Sequence, residues 1–156
     1  VPPGDALQFR GVRDDLTEDA VLDGGFRQCY SDLYGAPFSL DRMLRACNLP
    51  TVLVACRRVN SGTFTTAAMG VRNRVFVDTP CNRTAHHTTN GVDWYMSRDC
   101  SFGYAPEDSE LSRSSCDTTP GPDRLCWHTE EVGGYRCGAQ AGLNNDNGWE
   151  RVVFHR

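Results

Sequence analysis

Eight cysteines stand at positions 29, 47, 56, 81, 100, 116, 126 and 137, an even number with no Cys-x-x-Cys pair among them. Zinc thiolates come in close pairs, whereas each of these residues is at least nine positions from the next. The spacing therefore predicts that Cys29, Cys47, Cys56, Cys81, Cys100, Cys116, Cys126 and Cys137 form four disulfides, made in an oxidising compartment outside the cytosol. Spacing alone leaves their connectivity open. A chain of 156 residues can bury a core of its own, so the bridges reinforce that core and do not replace it.

The basic side chains are 16 arginines and no lysine, against 20 acids, for a net charge of -4. Both signs are dispersed, and no basic stripe is present that could neutralise a run of phosphates, which argues against nucleic acid as a partner. No apolar run approaches the ~20 residues needed to cross a bilayer as a helix, so membrane insertion is not expected. Val1-Pro2-Pro3-Gly4 has the composition of an extended linker. Residues 1–6 are read as linker-like and residues 7–156 as a single disulfide-rich β domain.

Periodicity points to a mainly β fold, an antiparallel sandwich or distorted barrel, with one α-helix near 39–47. Ser39 is placed to cap that helix, while Leu40, Met43, Leu44 and Cys47 fall at i, i+3, i+4 and i+7, and Pro50 stops it. Residues 17 to 24 have the cap, early acids and final glycine of one or two helical turns. Thr51 to Cys56 is a short apolar run rich in β-branched residues, suited to a strand buried on both faces. Phe64 to Met69, Arg74 to Val77, Arg124 to Thr129, Gly134 to Cys137 and Trp149 to His155 read as further strands. Asn90-Gly91 between His86-Thr89 and Val92-Ser97 is a strong two-residue hairpin signal.

The search for chemistry yields binding candidates and no catalytic constellation. Adjacent strand residues point to opposite faces, so His86 and His87 cannot easily share an ion, and His128 and His155 have no ligand spacing. Ser114-Ser115-Cys116-Asp117 lacks a nucleophile elbow and reads as a loop held by a disulfide. Asn144 to Glu150 carries the oxygens calcium prefers, with Asp146 and Glu150 as candidate ligands, but it departs from the EF-hand pattern. Asp93, Trp94 and Tyr95 offer carboxylate and rings for a glycan platform, although alternation sends the two rings to opposite faces. Asn82-Arg83-Thr84 is an N-glycosylation sequon. No cofactor is expected.

The succession Phe26-Arg27-Gln28-Cys29-Tyr30, Leu53-Val54-Ala55-Cys56-Arg57, Asn90 to Tyr95, Ser101 to Ala105, Leu125-Cys126-Trp127-His128-Thr129, Gly134 to Gly138 and Trp149 to Val153 resembles a cysteine-rich module of secreted and cell-surface proteins. The likeness covers roughly residues 9 to 154. In that pattern Cys81 and Cys100 are additions, which implies that they pair with each other. The expected function is a non-enzymatic extracellular structural or adhesive module, a repeat unit or subunit of a surface filament or matrix. Its partners would be copies of itself or neighbouring domains. A lectin-like carbohydrate-binding module is the alternative and a secreted hydrolase the third reading.

Overall fold

The computed structural model of the chain describes residues 7–112, 115–129 and 133–156; the linker-like segment 1–6 and Ser114 lie outside them. In chain order the elements are β1 (Leu16–Thr17), α1 (Glu18–Asp23), β2 (Arg27–Leu33), α2 (Leu40–Ala46), β3 (Thr51–Arg58), β4 (Thr63–Phe64), β5 (Thr66–Val71), α3 (Arg72–Val75), β6 (His87–Thr89), β7 (Val92–Met96), β8 (Ser101–Pro106), β9 (Leu125–His128), β10 (Gly134–Cys137), β11 (Gln140–Ala141) and β12 (Trp149–His155). A four-stranded sheet in the order β2-β12-β3-β5 faces a six-stranded sheet in the order β11-β10-β9-β8-β7-β6, and β1 pairs with β4 beside them. Every pairing is antiparallel, and the sheets form a sandwich, not a closed barrel.

Alternation along β7 explains the inner face: Val92, Trp94 and Met96 enter the central core, where they meet Val52, Val54 and Val153 of the other sheet. Phe102 fills the middle, with ring centroids of Trp127 at 5.6 Å and Phe76 at 5.9 Å, in the tilted and edge-on geometries aromatic pairs prefer. Antiparallel sheets commonly leave one face wet, but here both outer faces are covered as well. Residues 7–26 lay Phe9, Leu16, Val21 and Phe26 over Leu53, Ala55, Met69 and Phe154. Burial of three such side chains, Phe9, Leu16 and Val21, contributes roughly 1.5–3 kcal/mol each. On the opposite side Leu111 and the Cys116–Cys126 bridge cover Tyr95 and Ala105. Residues 52 to 56 are thus apolar without a break because both faces of β3 are buried.

Local chemistry sets the helices. Thr17 accepts from the Ala20 N–H at the start of α1, and Ser39 accepts from the Arg42 N–H at the start of α2. The C-terminal carbonyls of α2 are taken by Arg72, whose Nε donates to Cys47 O at 2.6 Å and Nη2 to Leu44 O at 2.7 Å. This contact corrects the strand expected at Arg74 to Val77. Arg72 is drawn toward α2, its N–H donates to Pro50 O, and the chain turns into α3 instead of extending. The Asn90-Gly91 turn has φ of 56° and 74°, the pair of positive angles a two-residue hairpin with matching twist requires.

All eight cysteines are bonded: Cys29–Cys47, Cys56–Cys137, Cys81–Cys100 and Cys116–Cys126. The first fastens β2 to the end of α2, and the second joins β3 to β10, hence one sheet to the other. The third ties the loop before β6 to the turn between β7 and β8, and the fourth ties the outer loop to β9. These bridges indicate an oxidising, extracellular-type environment. β12 lies outside all four loops although it is central in its sheet. Its end meets the other end of the described chain, where Arg156 Nη2 donates to Gln8 Oε1 at 3.1 Å. No helix among the described residues is long and apolar enough to cross a membrane.

Candidate functional site

The expected glycan platform does not form at Asp93, Trp94 and Tyr95. Both rings are fully buried, Trp94 in the central core and Tyr95 under the outer loop, because both faces of β7 are covered. Asp93 is buried too. It accepts from Thr88 Oγ1 at 2.6 Å and lies 3.6 Å from His86 Nε2. Nor are the calcium candidates aimed at a common point. Glu150 pairs with Arg57, and Asp146 accepts from the Gly148 N–H at 2.8 Å to close an Asx turn. Among the described residues no group of three or more His, Cys, Asp or Glu side chains is arranged to hold a metal.

The histidines take separate structural posts. His87 Nε2 donates to Arg74 O at 2.7 Å, and burial lowers its pKa. His155 Nδ1 accepts from the Leu49 N–H at 3.4 Å, and burial lowers its pKa as well. Ser115 and His128 are brought together, Oγ to Nδ1 at 2.9 Å, a contact that no local spacing marks. A serine nucleophile hands its proton to the imidazole, but the single Ser115 O–H donates to Cys100 O at 3.0 Å, which leaves its oxygen to accept from His128. That geometry fastens the outer loop to the β7–β8 turn. Asp117 does related work nearby: fully buried, it takes the Arg124 guanidinium and accepts from the Ser112 and Thr119 N–H groups. Arg136 then donates to the carbonyls of Asp117, Thr119, Gly121 and Gly138, which pins the rest of that loop.

Two grooves flank the turn from β7 into β8. Thr79 zips onto the end of β7, its N–H donating to Met96 O at 2.8 Å and its hydroxyl accepting from the Met96 N–H at 2.7 Å. Thr129 holds the turn from the other side through Ser97 O and the Cys100 N–H. Arg98 crests the turn and pairs with Asp41 in the first turn of α2. A groove of about 460 Å³ on one flank is lined by Asp78, Thr79, Pro80, Met96, Ser97 and Asp99. A second, of about 310 Å³, is lined by Phe38, Ser39, Leu40 and Thr129. Asn82 is exposed on the adjoining loop, one residue from Cys81. The surface is open, the larger groove mainly apolar and the smaller mainly polar, and it is suited to contact with another macromolecule more than to enclosing a small substrate.

A second feature escapes the sequence altogether. Asp14, on the segment preceding β1, faces the carboxyl group of Asp123 at hydrogen-bonding range, with Asp15 beside it and the buried Tyr104 phenol within electrostatic reach of both Asp14 and Asp123. Partial desolvation, and then the hydrogen bond and charge of Asp123 and the charge of Asp15, raise the Asp14 carboxyl from an ordinary value near 3.8 to about 6. The folded state therefore binds a proton there more tightly than the unfolded chain does. The associated stability is present below about pH 4 and is lost as pH rises through about 6. Asp14 is exposed, so solvent screening holds the effect to no more than about 1 kcal/mol. Urea midpoints taken from pH 4 to 7 are expected to fall across that interval in the native chain and to stay flatter in Asp14→Asn. Parallel curves for the two proteins would show that the pair does not share a proton.

Compared with family models, with curated proteins and with solved structures, the chain has no match.

Proposed function

We propose that this chain is a non-enzymatic extracellular module, secreted or displayed at a cell surface, that serves as a structural or adhesive building block and associates with copies of itself or with neighbouring domains. The observation that carries the reading is how the periphery is held. The outer loop is fastened to the sandwich by the Cys116–Cys126 bridge and by the buried Arg136, which collects several of its carbonyls, and the half-buried Arg72 holds the end of α2 in the same way. Enzymes commonly keep mobile loops near their chemistry, whereas a module exposed to proteases and shear is served by loops that cannot open. The open grooves flanking Arg98 give such a module a surface for a neighbour.

Sedimentation of the full chain over a wide concentration range tests this reading. Concentration-dependent association is expected. A monomer at every concentration, with no capture of neighbouring domains, would remove the assembly role.

A further inference from the structure

Residues 7–23 form a strap that completes the fold from outside the covalent framework. The first cysteine is Cys29, so no disulfide retains this segment. It carries Phe9, Leu16 and Val21 into the outer core of the four-stranded sheet. Arg13 and Ala67 exchange both backbone hydrogen bonds at 2.9 Å, which makes the strap an added partner on the edge strand β5. Further along, the Gly11 N–H donates to Asn90 O at 2.8 Å, the Asp15 N–H to Phe64 O at 3.1 Å and the Glu18 N–H to Gly62 O at 2.9 Å. The Asn90 side chain donates to Phe9 O at 2.9 Å, and Glu18 pairs with Arg57 of β3.

We infer that this strap exchanges between copies of the chain, each copy laying its residues 7–23 on the four-stranded sheet of the next; the inference rests on the self-association proposed above. The docking contacts just named run between the strap and the body. A strap from a second copy reproduces them without loss, which is the condition for exchange of an element between identical chains.

The hinge is present at the right place. Gly24-Gly25 separates α1 from β2, and Gly25 sits at φ 90°, an angle that folds the strap back and that glycine alone leaves freely. Gly24 is equally constrained, since a β-carbon there would stand 2.4 Å from the Leu7 β-carbon in the closed form. Straightening these two residues turns the strap away from its own sheet and toward a neighbour's. Its buried apolar side chains make a free strap costly, so an opened strap re-docks, on its own body when dilute and on another when concentrated. Each copy has one strap and one acceptor. Reciprocal exchange closes a dimer, and one-way donation propagates a chain of copies.

Thr17 and Thr63 are cross-strand partners in β1 and β4, one on the strap and one on the body, so T17C/T63C traps whichever pairing exists. The full-length variant is concentrated, oxidised and run under denaturing, non-reducing conditions. The expected result is a ladder at multiples of 17.3 kDa that appears only after concentration. Association in solution with all the trapped protein at the monomer position would overturn strap exchange while leaving self-assembly intact. In parallel, unmodified chains with and without ¹⁵N are mixed and followed by native mass spectrometry. Mixed oligomers are expected to appear slowly, since the strap must undock first; equilibration as fast as mixing would equally rule exchange out. No oligomer at any concentration would remove the self-association reading together with this one.

Discussion

Replacing Cys56 and Cys137 together by alanine is expected to lower stability by about 4 to 5 kcal/mol, the largest loss among the four bridges, on the chain-entropy account of cross-linking. The reason is loop length: this bridge closes a separation of 81 residues, against 18, 19 and 10 for the others. It also joins the two sheets, and both of its sulfurs sit in the central core, so removing them adds a packing cost. For a domain of this size the melting temperature should fall by about 10 to 20 °C. Cys116→Ala/Cys126→Ala is the comparison, expected to cost about 3 kcal/mol because its loop is short. Equal losses in the two variants would show that the inter-sheet bridge has no special weight.

Arg151→Met is expected to cost about 3 kcal/mol, measured by denaturant unfolding. Arg151 is fully buried between the rings of Tyr34 and Phe38, whose centroids lie 5.8 and 5.3 Å from its guanidinium carbon. Its Nε donates to Asp32, and Nη2 donates to Leu33 O at 3.0 Å and to Ala36 O. Removing one partner of a buried ion pair costs about 3–5 kcal/mol, because the other is left without compensation. The low end applies here. Nη1 is buried with no partner among the described residues, so methionine relieves that one unsatisfied group while it fills much of the volume. Asp32→Asn keeps an oxygen to accept from Nε and should cost less. If Arg151→Met loses under about 1 kcal/mol, the pair positions the chain without stabilising it.

How far the fold could be read depended on where each signal resides. The α2 helix and the Asn90-Gly91 hairpin were legible because a cap, an apolar stripe or a pair of positive φ angles is a property of adjacent residues. β2 left little trace, since it is an edge strand on which only Tyr30 is buried. β8 carries Gly103 and Pro106, residue types that are depleted in strands and so give no strand signal. Gly103 is there for a tertiary reason: a β-carbon would lie 2.6 Å from the Tyr95 hydroxyl and 2.2 Å from Leu125 O. Alternation correctly separated Trp94 from Tyr95. What it could not show was the outer loop that buries the second ring, and so the glycan platform failed at those residues. Asp14 and Asp123 meet across most of the chain, and no local pattern marks such a contact.

The meeting of Gln8 with Arg156 at one pole has a mechanical meaning. A pull applied to these two residues does not shear the sandwich along its strands. It opens bonds one after another from that pole, peeling the strap on one side and drawing β12 out of its sheet on the other. The strap peels as far as Cys29, where the bridge passes the pull to Cys47 and along residues 48–55, and β12 peels as far as Cys137; the Cys56–Cys137 bridge then ends both paths. The chain is expected to lengthen by about 160 Å if these segments extend fully and then to stop at sulfur. Compliance and a hard limit are thus built into the same chain.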